Sequence, residues 1–175
     1  MMLGFKGAIQ PNKNDRVYNV LPLYHSAGGV IAVGLALTSG ASLVLKRKFS
    51  VNEFWDDVYK YKVTIFQYIG ELCRYLLNAP THKYEKDHNL RMVTGNGLRP
   101  DIWDDFKERF NIKNILEFYG ATEGNVSLMN YDGKSGAIGR IPKYIEKILF
   151  CSVVPETFNL IKKFLSKKIN RKCYE

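Results

Sequence analysis

The chain has 175 residues, 46% hydrophobic and 25% charged, with a formal net charge of +9. That length allows one domain with a real core and barely two, and the composition is ordinary for a soluble globular protein. The three cysteines, Cys73, Cys151 and Cys173, are widely spaced and form no CxxC pair, which argues against a disulfide scaffold or zinc site and for a reducing compartment.

The positive charge is unevenly placed. From Lys143 onward there are eight Lys/Arg against three Asp/Glu, so +5 of the total sits in the last segment. The N-terminal MMLGFKGAIQ lacks an apolar run long enough for a signal peptide.

In chain order, residues 1–14 form a short lead without clear periodicity. Arg16 to Leu21 alternates and reads as a strand halted by Pro22. The loop PLYHSAGG then feeds an apolar helix from about Gly29 to Leu37, a turn at Ser39-Gly40 and a short buried strand from Ser42 to Leu45. The uncharged run from Ala27 to Leu45 has about the length of a membrane span, but its Gly, Ser and Thr interruptions favour a buried helix, turn and strand. Ser50 and Glu53 have capping-box spacing ahead of an amphipathic helix over Val51 to Tyr61.

Val63 to Tyr68 reads as a strand and Glu71 to Asn78 as a helix stopped by Pro80. Thr81 to Asn89 is a polar surface loop, and Leu90 to Thr94 a strand ending at Gly95-Asn96-Gly97. Pro100 opens a helix with acid early and base late. Ile115 to Tyr119 is the next strand; Val126 to Tyr131 alternates again before the turn signal Asp132-Gly133.

Strands and helices in alternation define an α/β fold, a mostly parallel sheet with flanking helices. Parallel strands bring their carboxyl ends to one edge. Four polar, glycine-containing corners fall there: the His25 loop, Gly70-Glu71, Gly95 to Gly97, and Tyr119 to Asn125.

The last corner, EFYGATEGN from Glu117 to Asn125, carries the most chemistry. Tyr119 offers a flat face for a base, and Gly120 lets backbone approach a phosphate. Thr122 offers a hydrogen bond to a phosphate oxygen, and Glu123 a ligand for Mg²⁺ or an acceptor for a hydroxyl. The same residues also suit an ordinary strand-to-loop corner. Trp55, Trp103, Phe106 and Phe110 sit at helical spacings that suit core packing, and Asp101, Asp104 and Asp105 read as helix-start acids. Glu71 and Arg74, one turn apart, read as a surface ion pair.

PLYHSAGG, YIGELCRYLLN, MVTGNGLRPDIWDDFKERF and EFYGATEGNVSLMNYDGKSGAIGR, in that order, resemble the fatty acid transport protein and very-long-chain acyl-CoA synthetase family of adenylate-forming enzymes. The resemblance runs from Gly4 to about Arg140 and implies part of the N-terminal domain of such an enzyme. It implies a two-step ligase reaction: a fatty acid attacks ATP to give acyl-adenylate and pyrophosphate, then coenzyme A takes the acyl group. By the family's pattern Tyr119 stacks on adenine, Thr122 contacts a phosphate and Glu123 holds Mg²⁺. Gly95, Asn96 and Gly97 match the loop lining the adenine and acyl-carboxylate pocket, and His25 the position beside the reacting carboxylate. ATP or AMP, Mg²⁺ and coenzyme A are the implied cofactors and co-substrates.

The family's phosphate loop, ribose-binding aspartate and C-terminal lid have no counterpart in these 175 residues, so the expectation is a central slice with little or no ligase activity alone. Residues 1–142 are expected to form a partial AMP-binding domain, and 143–175 a basic tail. In that tail Phe158, Leu160, Ile161, Phe164, Leu165 and Ile169 line one side of a helix and Lys162, Lys163, Lys167 and Lys168 the rest. Such a helix suits an anionic membrane surface, or packing on the sheet edge. The family resemblance implies membrane association on the cytosolic side, at the endoplasmic reticulum, plasma membrane or peroxisome. No nucleic-acid partner is expected. Two other readings stay open: a non-catalytic membrane-associated or interaction protein that keeps the half-site, and a generic nucleotide-binding module.

Overall fold

The computed structural model describes residues 2–121 and 127–139. Six strands form the sheet, in the order β2-β1-β3-β4-β5-β6. They are β1 (Arg16–Asn19), β2 (Ser42–Leu45), β3 (Ile65–Ile69), β4 (Met92–Asn96), β5 (Ile115–Gly120) and β6 (Ser127–Met129). The first five run parallel, and β6 returns antiparallel against β5. The α/β fold expected from strand–helix alternation is the fold observed.

Helices cover both faces. On one face α1 (Met2–Ile9), a π-helical segment Ser26–Ala32 and α2 (Val33–Ser39) pack on Val17, Ile65, Leu116 and Phe118. On the other, α3 (Val51–Lys60), α4 (Gly70–Asn78) and α5 (Pro100–Arg109) cover Tyr18, Phe66, Tyr68, Val93 and Ile115. Burial on both faces explains why Ile65, Phe66 and Tyr68 of β3 are apolar or aromatic on either side of the strand rather than alternating with exposed polar residues. Trp55, Trp103, Phe106 and Phe110 are buried in this second layer, as their helical spacing indicates.

Three local readings need correction. The lead is helical, not irregular: Phe5 and Ile9, one turn apart, are both buried, and Phe5 meets Phe118 edge-to-face at 4.7 Å. Gly4 and Gly7 dilute the helical signal there. Strand β2 is an edge strand with Ser42 and Leu45 exposed, so it is not buried. Ser50 does begin α3 in extended backbone, but its side chain makes no capping bond. Glu53 is engaged elsewhere, accepting from Lys46 Nζ at 3.1 Å, which dissolves the capping box.

At the amino ends of the strands the chain is tied down by charge. Asp15, just before β1, accepts from Arg91 Nε and Nη2, both at 2.8 Å, and from the Thr64 hydroxyl at 2.7 Å. Arg91 also donates to the carbonyls of Ile9 and Gln10, which anchors the end of α1. Among the described residues no helix is long and apolar enough to cross a membrane.

Candidate functional site

The carboxyl ends of β1, β3, β4 and β5 lie side by side. Register pairs Tyr68 with Gly95, Ile69 with Asn96, and Gly95 with Glu117, so the β3, β4 and β5 exits share one edge. A parallel sheet concentrates ligand chemistry at this edge because every outgoing loop leaves from it.

The β1 exit is shaped by Asn19, whose side-chain amide donates to the Leu21 carbonyl and accepts from the Leu21 N–H, at 3.2 and 3.1 Å. A tight turn follows in which His25 N–H donates to Pro22 O at 3.1 Å. His25 then heads the π-helical segment, with Nδ1 accepting the Ala27 N–H at 3.2 Å. That bond assigns the proton of the neutral ring to Nε2, leaving a donor on an exposed side chain. Short π-helical stretches are rare and concentrate at functional places.

At the β4 exit the three residues singled out in the sequence divide. Gly95 is buried: a Cβ there would lie 2.2 Å from Tyr68 O, so its missing side chain makes room for a neighbouring strand. Asn96 and Gly97 are exposed. Gly97 has φ +84°, a backbone that side chains rarely adopt, and a Cβ on Gly70 would fall 1.7 Å from Gly97 O. The two glycines therefore let β3 and β4 exits touch. Among the described residues a Cβ on Gly97 would meet nothing closer than Gly70 N at 3.8 Å, so the corner is open on that side to them.

Tyr119 and Gly120 end β5. Tyr119 is 57% exposed, unusual for a ring on a sheet of this kind, and Gly120 faces Ser127 across the antiparallel pair. Thr122 and Glu123 lie outside the described residues. The Glu71–Arg74 pair forms on the exposed start of α4, with Arg74 Nε donating to Glu71 Oε2 at 3.0 Å.

Sequence reasoning assigns Glu117 no role, yet it is the residue that ties these corners together. Its carboxylate is buried at 2% exposure. Oε1 accepts from the Tyr68 hydroxyl at 2.7 Å and from Leu98 N–H at 2.9 Å, and Oε2 from Gly97 N–H at 3.1 Å. Burial pushes the carboxyl above its ordinary value, although the Tyr68, Leu98 and Gly97 hydrogen bonds oppose that shift. An acid flanked by Leu116 and Phe118 in a buried strand is the signal that finds it.

An exposed ring beside an open glycine corner fits a flat base, which stacks on an aromatic face and slides against bare backbone. Among the described residues no group of three His, Cys, Asp or Glu is placed to hold a metal. A separate concavity of about 200 Å³, lined by Met92, Lys113, Ile115 and Asn130 among others, opens at the amino ends of β4 and β5, opposite these corners.

The AMP-binding enzyme family matches residues 2–152, and the chain belongs to that family. Its relatives include human long-chain fatty acid transport protein 1, 50% identical over 151 residues, which cover 85% of this chain and 23% of that protein. Mouse long-chain fatty acid transport protein 3 is 52% identical over 137 residues, covering 78% of this chain and 20% of its own length. The chain thus spans about a quarter of the curated relatives it matches. ATP-bound MatB from Rhodopseudomonas palustris superposes with a TM-score of 0.69 at 24% identity, over 79% of this chain and 28% of that one. The N-terminal domain of FACL13 from Mycobacterium tuberculosis gives the same TM-score at 20% identity, over 79% and 36%. At those identities the structures establish a shared fold.

Proposed function

We propose that these residues form the nucleotide and acyl-carboxylate half-site of an ATP-dependent long-chain fatty acid–CoA ligase. The observation that carries the reading is the carboxyl edge, where the exposed Tyr119 and the Gly97 corner lie at the exits of the paired strands β5 and β4. In this reading the fatty acid carboxylate attacks the α-phosphorus of ATP, pyrophosphate leaves, and the acyl-adenylate is resolved by the coenzyme A thiol with release of AMP. The substrate brings its own nucleophile, so the protein's part is orientation and charge stabilisation.

Tyr119 stacks on the adenine, with Asn96 and Gly97 along its edge. His25 presents Nε2–H to the reacting carboxylate. Gly95 contributes by keeping the strand beneath this corner in close contact with Tyr68, and Gly120 keeps the β5 exit open to a phosphate. Thr122 would donate to a phosphate oxygen, and Glu123 would hold Mg²⁺, whose charge would offset that of the phosphates.

Calorimetric titration of the chain with AMP tests the nucleotide half. The expected result is saturable binding that Tyr119→Ala weakens about tenfold, in line with the loss of one base–aromatic stack. Absence of saturable binding would overturn the reading. For residues 143–175, we place the basic tail on an anionic membrane surface at the cytosolic side. Co-sedimentation with phosphatidylserine vesicles should fall when the chain is cut after residue 140; equal sedimentation would remove the tail from membrane binding.

A further inference from the structure

We propose that Glu117 is a positioning residue for the nucleotide half-site, clamping the Gly97–Leu98 peptide to β3 and β5 so that the open corner keeps one shape beside Tyr119. The inference rests on the nucleotide reading and adds a residue to it.

Three donors converge on this carboxylate from two other parts of the chain: the Tyr68 hydroxyl from β3, and the Gly97 and Leu98 N–H groups from the β4 exit. Only an acceptor-only group satisfies all three. A glutamine of the same shape would turn an NH₂ toward an N–H or O–H, and one donor would lose its partner. The bonds are charge-assisted and enclosed, where such bonds are strong and their loss is felt most.

The clamp does not act on the core as a whole. Tyr68 and Glu117 lie on neighbouring positions of the β3–β4–β5 register, both aligned with Gly95. What they hold is therefore the turn immediately beyond, where Gly97 adopts φ +84° and touches Gly70. Tyr119 leaves β5 on the same face, two residues past Glu117. The carboxylate thus fixes the distance between the backbone of the corner and the ring beside it, the gap into which a flat base would fit. Gly97 donates its N–H to Glu117, and that orients the Asn96–Gly97 peptide before any ligand arrives. Pre-ordering of this kind shows up as affinity, because less freedom is lost on binding.

The test uses the ¹⁵N-labelled chain with AMP as the probe. Glu117→Gln should move the Gly97 and Leu98 amide resonances, lower the protection of one of the two from hydrogen exchange, and raise the AMP dissociation constant about tenfold, the factor expected for one charge-assisted bond. Tyr68→Phe removes one donor and keeps both peptide bonds, and should weaken AMP about threefold, with smaller shifts of the same two amides. Arg91→Ala, at the opposite edge, should lower the melting point and leave AMP affinity unchanged. A purely structural Glu117 would lower stability without moving affinity. AMP binding within twofold of wild type in Glu117→Gln, or in Tyr68→Phe should Glu117→Gln fail to fold, would overturn the proposal alone. If wild type itself shows no AMP-dependent shifts, the nucleotide reading falls, and the inference with it.

Discussion

The two ends of the same strands hold buried carboxylates of opposite character. At the amino ends Asp15 is met by a guanidinium, a hydroxyl and the Asn12 amides. Burial alone would raise its carboxyl, but the bonds from Arg91, Thr64 and Asn12 outweigh that and hold it below 3.8. At the carboxyl ends Glu117 receives, among the described residues, only N–H and O–H dipoles, and burial wins. The first arrangement fastens α1 and three strand starts together. The second leaves a negative group poised beneath an exposed ring and an open corner. Stability is concentrated at one edge and a preformed, less settled geometry at the other, the division expected where binding chemistry sits on a rigid scaffold.

The largest effect should come from breaking the fastened edge. Arg91→Ala leaves Asp15 enclosed without its counter-charge, and should cost about 2–3 kcal/mol in urea unfolding, toward the low side of such losses because Arg91 is 35% exposed. A loss under about 0.5 kcal/mol, the level of an exposed pair, would mean that the amino edge is not the locked one.

Next comes the ring at the open edge. Tyr119→Ala removes 57% exposed aromatic surface, so its cost in folding stability should stay within about 0.5 kcal/mol. Its cost to AMP binding should be larger, about 1–2 kcal/mol by titration calorimetry. The reverse pattern, unfolding without loss of affinity, would make Tyr119 a packing residue and erase the contrast between the edges.

A third measurement compares the two acids directly through pH. Asp15 has a depressed folded pKa, so its stabilisation is present above 3.8 and is lost as pH falls through the folded value. Glu117 has a raised one, so its contribution is complete below 4.5 and is lost as pH rises through the folded value. The stability gap between wild type and Asp15→Asn should therefore close in acid, while the gap to Glu117→Gln should narrow as pH rises past 4.5. Unfolding free energies across that range check the signs, and gaps moving in the same direction would refute the assignment.

Much of this was legible in the chain. Alternating strands and helices imply the parallel sheet, and topology alone sends the corners of His25, Gly97 and Tyr119 to one edge. What escaped depended on distant partners. Glu117 is marked locally only as an acid between Leu116 and Phe118; its partners Gly97 and Leu98, about twenty positions earlier, are brought to it by the fold. Likewise Ser50 and Glu53 have the spacing of a capping box, but Lys46 takes the glutamate away. The helix at Met2–Ile9 rests on two buried residues among glycines, and only the sheet face beneath them makes it a helix. Gln67 keeps a different problem: it is fully enclosed between Asn19 and Thr94 in register, with neither amide atom hydrogen-bonded among the described residues, and nothing in the fold explains it.

The smallest effect is expected from the ion pair that looks strongest on paper. Glu71 and Arg74 sit one helical turn apart with two hydrogen bonds between them. Both side chains are more than two-fifths exposed, so water competes for each charge and salt screens the remainder. Arg91 and Asp15 use the same chemistry with the carboxylate enclosed, where removing the cation strands a charge. Glu71→Gln should thus leave the urea midpoint where it is, at low and high salt alike. A midpoint shift approaching that of Arg91→Ala, vanishing with added salt, would show that the open edge carries electrostatic stabilisation of its own and would overturn the division drawn between the two ends of the sheet.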